Sequence, residues 1–159
     1  MRFSYFKGIF FSTLIGVSTF GFANDHLPIA KKVHQQSGIV DLGLTGKQLG
    51  QTQSTYLIPI QIDKAPIEAT IDMSFVVITT GVCPASYFPT EVFLNNESIA
   101  DIDFRNFDEG STKNLSIALP PQYQRQGENQ IKIITGDCNE GLDSLRFNSV
   151  ALSINKIPR

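Results

Sequence analysis

The chain has 159 residues, 18% of them charged and 42% hydrophobic, and a formal net charge of −2. This length suits one domain with its own hydrophobic core. The mildly acidic balance and the absence of a basic run argue against binding to nucleic acids or to anionic membrane surfaces.

The first 23 residues predict a secretory signal peptide. Arg2 and Lys7 make a positive start, residues 8–22 are apolar or small, and Ala23 precedes the expected cleavage site. The alternative, a transmembrane anchor, needs about 20 apolar residues, whereas this run is shorter and interrupted by Ser and Gly. Cleavage of the signal peptide removes Arg2 and Lys7 and changes the net charge from −2 to −4. We therefore expect a bacterial protein that is periplasmic or secreted, with no membrane insertion of the mature chain.

The mature chain divides into a polar start and one folded domain. Residues 24–36 carry both histidines and are expected to be loosely ordered, and residues 37–159 to form the domain. No convincing helix pattern occurs in it. Apolar residues instead alternate with period two between turn residues, which predicts strands.

The first predicted strands lie in the N-terminal half of the domain. A short strand is expected at 38–42, and the Gly- and Gln-rich residues 43–53 are interpreted as a loop. The strand at 54–62 contains Pro59, which has no N–H and indicates an edge strand or a bulge. The long β-branched run at 67–80 predicts a central strand.

The C-terminal half completes the pattern. Asn95-Asn96 suits a tight hairpin turn because Asn tolerates left-handed backbone geometry. A phase switch in the last strand predicts a β-bulge near Asn148-Ser149. About eight strands without helices predict an all-β fold, an antiparallel β-sandwich of the jelly-roll kind. These later strands are expected at 91–104 (a hairpin), 113–119, 128–135 and 144–154.

The two cysteines, Cys83 and Cys138, both lie in the exported part of the chain. An even count in an oxidising compartment favours a disulfide. The loop that it closes is over fifty residues long, and such a cross-link stabilises by about 4 kcal/mol. A metal site or a redox thiol is the alternative, but the chain has no CxxC motif and no Cys/His cluster.

Four segments in fixed order carry a family resemblance: VFLNN at 92–96, LSIAL at 115–119, GENQIKI at 127–133 and a closing strand at 143–152. Their order resembles the galactose-binding-like jelly roll of sugar-binding modules and of accessory domains in secreted glycosidases. The resemblance implies a non-catalytic carbohydrate-binding module. The GEN motif also has a structural explanation, because Gly127 can adopt a positive φ and Asn129 can bond back to the turn.

The chain departs from that family in two ways. Asn96 stands where Gly is frequent, and there is no Trp to form an aromatic sugar platform. Tyr87, Phe88 and Tyr123 are the aromatic residues predicted to replace it. Tyr87 and Phe88 belong to a proline-stiffened turn at 83–89, which suits a binding surface, although both rings could instead pack over the end of the sandwich.

Two polar clusters are further candidates. Asp137, Asn139 and Asp143 could supply oxygen ligands to Ca²⁺, or form a solvated acidic loop; otherwise no cofactor is expected. Arg105, Asn106 and Asp108 could hydrogen-bond sugar hydroxyls or a protein partner. These six residues form the polar part of the predicted binding and metal sites.

Catalysis is the least favoured interpretation. Asp101 and Asp103 alternate with apolar residues, and a carboxylate pair could act as a glycosidase acid and base, but the polar face of a strand explains them as well. Both histidines, His26 and His34, lie in the N-terminal segment, so neither a nucleophilic triad nor a zinc site is predicted. We expect a binding module for a glycan or, alternatively, for an envelope protein as an inhibitor, adhesion or assembly subunit.

Overall fold

A computed structural model describes residues 30–33, 38–50, 53–80, 87–138 and 141–156. Within these ranges the chain forms strands and two short 3₁₀ turns, Phe104–Asn106 and Pro121–Tyr123, but no α-helix. The predicted all-β class is therefore confirmed. The strands are β1 (Lys31–Val33), β2 (Gly38–Asp41), β3 (Gln48–Leu49), β4 (Thr55–Ile62), β5 (Glu68–Thr79), β6 (Thr90–Leu94), β7 (Glu97–Ile102), β8 (Thr112–Ala118), β9 (Gly127–Ile134), β10 (Asp137–Cys138), β11 (Gly141–Leu142) and β12 (Ser144–Lys156).

The strands form two main sheets. The first sheet has the order β1-β4-β9-β6-β7, and the second has the order β2-β12-β5-β8, with β3 pairing the start of β12. β10 and β11 make a separate small hairpin. All of these pairs are antiparallel except β1 with β4, which is parallel.

The core between the sheets follows from the period-two pattern. Along β5 the residues from Ala69 to Val77 alternate between buried and half-buried positions. The buried faces of both sheets contribute to one hydrophobic cluster, in which Phe75, Phe104 and Phe147 are almost completely inaccessible to water. This packing of two sheets around one core is the β-sandwich arrangement.

Two local predictions are confirmed. Asn95 and Asn96 have φ angles of 53° and 72°, so both adopt the left-handed conformation of a tight hairpin turn between β6 and β7. The pairing of β12 with β5 shifts register between Phe147 and Ser149, which is the bulge that the phase switch indicated.

Pro59 lies in β4, which is neither an edge strand nor bulged, contrary to the prediction: β4 is placed between β1 and β9, and its pairing with β9 has no register shift. The partner of Pro59 in β9 is Gln130, whose backbone N–H and C=O both bond to Asn95 on the other side. Pro59 and Gln130 therefore form a non-hydrogen-bonded pair, and the Pro59 nitrogen faces away from β9. β1 pairs only with Ile60 to Ile62, so the missing N–H costs no ladder bond.

Four short strands lie where none was predicted, and two of them, β10 and β11, pair within the segment 137–143 that was considered as a loop. β1 falls within the segment 24–36 that was expected to be loosely ordered, and β3 falls within the predicted loop 43–53. Strands of two or three residues are too short to show alternation, although Leu49 of β3 is fully buried. The predicted signal peptide, His26 and His34 lie outside the described residues. In the described part of the chain, no helix is long and apolar enough to cross a membrane.

Candidate functional site

Three of the sequence-predicted clusters meet at one end of the sandwich. The Tyr87 hydroxyl donates to Asp143 Oδ2 at 2.6 Å, and the Arg105 guanidinium carbon lies 4.4 Å from the centre of the Tyr87 ring. Phe88 forms an antiparallel bridge with Asp137. The turn before β6, the loop after β7 and the β9–β12 connection thus converge, and we refer to this surface as the Tyr87 end.

Tyr87 is the structural centre of this end. Its hydroxyl donates to Asp143, which is 1% exposed, and accepts from the Phe104 N–H at 2.9 Å. Burial raises the pKa of Tyr87, and the hydrogen bond to Asp143 raises it further. The phenol is therefore protonated at neutral pH and holds the 3₁₀ turn after β7 against the β9–β12 connection.

Asp143 is held from several sides. Its N–H donates to the Gly136 carbonyl at 3.1 Å, and its own carbonyl accepts from Thr135 Oγ1 at 2.7 Å. These two bonds fix the backbone of Asp143, and the hydrogen bond from the Tyr87 hydroxyl to Oδ2 offsets part of the cost of burying the carboxylate. The position therefore acts as a fixed support for the exposed residues around it.

Arg105 lies on the Tyr87 ring and is oriented by Asp103. Arg105 Nη2 contacts Asp103 Oδ2 at 2.6 Å, and Nε contacts Asp103 Oδ1 at 3.0 Å. The hydrogen bonds from Arg105 hold the pKa of Asp103 below its usual value. A guanidinium has five N–H donors, and Asp103 occupies the Nε–Nη2 side. Among the described residues no acceptor lies on Nη1, so that side can donate to a ligand.

Phe88 presents an exposed ring on a fixed backbone. The ring is 68% exposed, while the Phe88 N–H and C=O both bond to Asp137, at 2.9 and 3.0 Å. An aromatic group held in this way loses little conformational entropy when a ligand covers it. The sequence left open whether both rings pack over the sandwich end; Tyr87 is half-buried there, and Phe88 is not.

The three other residues predicted to bind a ligand do not all lie at the Tyr87 end. Asn106 and Asp108 are exposed in the loop that follows Arg105. Tyr123 lies at the opposite end of the sandwich, because its carbonyl accepts from Asn95 in the β6–β7 turn. The six residues of β7, about 20 Å of strand, separate that turn from the Tyr87 end. Tyr123 is therefore not part of the same site.

The metal and disulfide hypotheses stay predictions. Asp137 is exposed and Asp143 is buried, while Asn139 and Cys83 lie outside the described residues. Within the described ranges, no group of three or more His, Cys, Asp or Glu side chains could hold a metal ion.

The two carboxylates considered for catalysis are in different environments. Asp101 lies on β7, exposed and opposite Glu91. Asp103 lies beyond the end of that strand, where it caps the 3₁₀ turn and contacts Arg105. Sequence reasoning missed this orienting role, although the Asp-x-Arg spacing before a short turn is a signal that could have indicated it.

Removing the Tyr87 hydroxyl is expected to weaken the fold. Tyr87→Phe takes one partner from the Phe104 N–H and one from the buried Asp143 carboxylate, so the free energy of unfolding should fall by about 2 kcal/mol. Chemical denaturation measures this change. Tyr123→Phe is the matched control, because its hydroxyl bonds to no described residue, and it should shift stability by less than about 0.5 kcal/mol. Equal stability of both variants would contradict the assigned role of Tyr87.

Comparisons with known proteins give structural matches only. No family model matches the chain. No curated protein matches it either. A family 35 carbohydrate binding module from an environmental isolate matches with 18% identity and a TM-score of 0.39, covering 82% of this chain and 89% of that one.

Two further solved structures are similar at the same level. The CBM36-1 domain of a multidomain xylanase from the hindgut metagenome of Trinervitermes trinervoides has 11% identity and a TM-score of 0.45, covering 82% of this chain and 94% of that one. The Podospora anserina GH26-CBM35 β-(1,4)-mannanase has 18% identity and a TM-score of 0.40, covering 79% of this chain and 29% of that one. Each of these three structures is, or contains, a carbohydrate-binding module, the class that the sequence resemblance indicated.

Proposed function

We propose that this chain is a non-catalytic carbohydrate-binding module whose ligand binds at the Tyr87 end. The observation that carries this function is a guanidinium that Asp103 and Tyr87 hold in place at the same end as Phe88, an exposed aromatic residue whose backbone is bonded to Asp137. Sugars combine apolar C–H faces with hydroxyl groups, and a sugar site therefore combines an aromatic surface with a few fixed polar groups.

Each residue has a defined part in this function. Phe88 packs against the C–H face of a sugar ring. Arg105 donates from its Nη1 side to sugar hydroxyls, and its orientation is set before the ligand arrives. Asn106 and Asp108, exposed in the adjoining loop, supply further polar contacts. Tyr87 acts as a support rather than as a ligand contact.

The compartment is part of the same proposal. A signal peptide over residues 1–23 directs the chain out of the cytoplasm, and Cys83 pairs with Cys138 there. Thiol titration of the unreduced, denatured protein should then detect no free thiol.

A glycan array is the first test. Purified protein is screened with Ca²⁺ and with a chelator, and binding to a set of related sugars is the expected result. Loss of that binding in the chelator arm would support an ion in the Asp137–Asp143 loop. A blank array, together with co-purification of an envelope protein, would contradict the glycan function and favour a protein partner.

Substitution of Phe88 tests the location of the site. Phe88→Ala should lower glycan affinity by about tenfold or more, because it removes the aromatic surface. Arg105→Ala should lower it as well, without loss of the fold, since the side chain is about half exposed. Leu57→Ala is the matched control: Leu57 is also an exposed apolar residue, 48% accessible, but it lies on β4 of the first sheet. Titration calorimetry measures all three, and an unchanged affinity for Phe88→Ala would exclude this end as the site.

A further inference from the structure

A second surface with its own chemistry lies on the outer face of the second sheet. A groove of about 650 Å³ crosses strands β2, β12, β5 and β8. One row of paired residues runs along its floor: Asp41, Ala151, Asp72 and Ser116, one from each strand. None of them takes part in the Tyr87 end.

The groove floor is organised around Asp72. Its Oδ1 accepts from Ser116 Oγ at 2.6 Å and from Thr70 Oγ1 at 3.1 Å, and its Oδ2 accepts from Ser153 Oγ. Hydrogen bonds from Ser116 and Ser153 lower the pKa of Asp72, so the carboxylate is ionised at neutral pH.

This arrangement decides which kind of ligand group the floor accepts. A hydroxyl has one proton and two acceptor lone pairs. The hydroxyl protons of Ser116, Ser153 and Thr70 all point to Asp72. The oxygens of these hydroxyls therefore offer their lone pairs to a ligand. The floor is therefore rich in acceptors and favours a ligand that donates hydrogen bonds.

The charge of the groove favours a cationic donor. Asp41 and Asp72 both line it, and the lining residues that the structure describes include no Lys, Arg or His. Arg146 is a cation on the same sheet face, but it pairs with Val76, four residues along β5 from Asp72 and about 13 Å away. An ammonium group has three donors and one positive charge, which match this floor.

We propose that this groove binds an oligosaccharide with unacetylated amino-sugar residues, whose ammonium group lies over Asp72. Ile39, 78% exposed and paired with Ser153 at the side of the groove, offers an apolar surface for the C–H face of a sugar ring. The class of ligand rests on the proposed carbohydrate-binding function, whereas the site itself does not depend on the Tyr87 end.

The test compares three β-1,4-linked tetrasaccharides that differ only at C2: glucosamine, N-acetylglucosamine and glucose. Titration calorimetry of the purified protein should detect groove binding for the glucosamine tetrasaccharide alone. Asp72→Asn keeps the shape and removes the charge, and should weaken that binding about tenfold. Asp101→Asn is the matched control, since it removes one exposed carboxylate from the first sheet. It should leave the affinity unchanged.

Two more variants separate this site from the Tyr87 end. Ala151→Trp fills the groove between Asp41 and Asp72 and should abolish glucosamine binding, whereas Phe88→Ala should leave it intact. Equal binding of the three tetrasaccharides, an equal loss for Asp101→Asn, or no effect of Asp72→Asn would each overturn the inference. If Asp72-dependent binding persists while the glycan array shows nothing sensitive to Phe88, the proposed function of the Tyr87 end fails and the groove stands.

Discussion

Replacing Asn129 by alanine is expected to lower the free energy of unfolding by about 3 kcal/mol, because four partly buried hydrogen bonds are lost together. Asn129 is the last residue of the GEN motif and is only 4% exposed. Its Oδ1 accepts from Asn95 Nδ2 at 2.8 Å and from the Arg125 N–H at 2.7 Å. Its Nδ2 donates to the carbonyls of Arg125 and Gly127, at 2.7 and 3.0 Å.

These four bonds use the full hydrogen-bonding capacity of an amide side chain. They join the turn before β9 to the β6–β7 hairpin, which is 34 residues away in sequence. Alanine would remove these partners from the Arg125 and Gly127 backbone groups, and the turn would lose the side chain that holds it closed. The GEN motif is thus accounted for by the fold, and Gly127 contributes its φ of 96° to the same turn.

Urea denaturation of Asn129→Ala measures the effect. Gln130→Ala is the control, because this neighbouring residue is exposed on the outer face of β9 and its bonds to Asn95 are made by the backbone. We expect the control to stay within about 0.5 kcal/mol of the natural protein. Similar unfolding midpoints for the two variants would show that the side-chain network of Asn129 adds nothing to stability.

The longer strands could be predicted from the sequence because each of them carries its own periodic signal. β5 and β12 alternate over most of their length, and the bulge after Phe147 is visible as a change of phase. Both signals depend on neighbouring residues alone. β1 and β3 lack them: three and two residues cannot define a period, and their positions are set by the strands that they meet.

The site could be predicted only in pieces. Tyr87 and Asp143 are 56 residues apart, and only the closure of the sandwich brings them into contact. Their turns were recognised as candidates from composition, but no local pattern indicates that they share an end. For the same reason Tyr123 was grouped with Phe88, although the length of β7 separates them.

The groove illustrates the same limit more strongly. Its floor joins Asp72 to Ser116 and Ser153, which are 44 and 81 residues away in sequence. In the sequence these residues are ordinary members of the polar faces of three strands. Their common chemistry follows from the pairing of β5 with both β8 and β12, which aligns one row of side chains across the sheet.

Replacing Gly136 by alanine is expected to reduce both stability and ligand binding. Gly136 is buried beneath the Tyr87 end. A Cβ added there would overlap Asp143 Oδ2, and it would lie 2.7 Å from the Phe88 carbonyl oxygen and 2.9 Å from the Thr90 nitrogen. Two of these three atoms belong to the backbone and cannot rotate away, so we expect a loss of about 3 kcal/mol in the free energy of unfolding.

The effect on binding follows from which atoms must move. Relief of the overlap shifts the Asp143 carboxylate, which accepts from Tyr87, and the segment that carries the Phe88 ring. Glycan affinity should therefore fall even at temperatures where Gly136→Ala remains folded. Gly110→Ala is the control: its φ of +77° strains any L-residue, but no atom lies within 4 Å of the added Cβ.

Gly110→Ala should lower the free energy of unfolding by about 1 kcal/mol and leave glycan affinity unchanged, since the backbone strain is confined to that turn. Thermal unfolding and titration calorimetry on the same samples distinguish the two variants. If Gly136→Ala lost stability but bound glycans normally, Phe88 would not need the fixed backbone that its bridge to Asp137 provides. If both quantities fell together, the close packing under Phe88 would be part of what makes this end a binding surface.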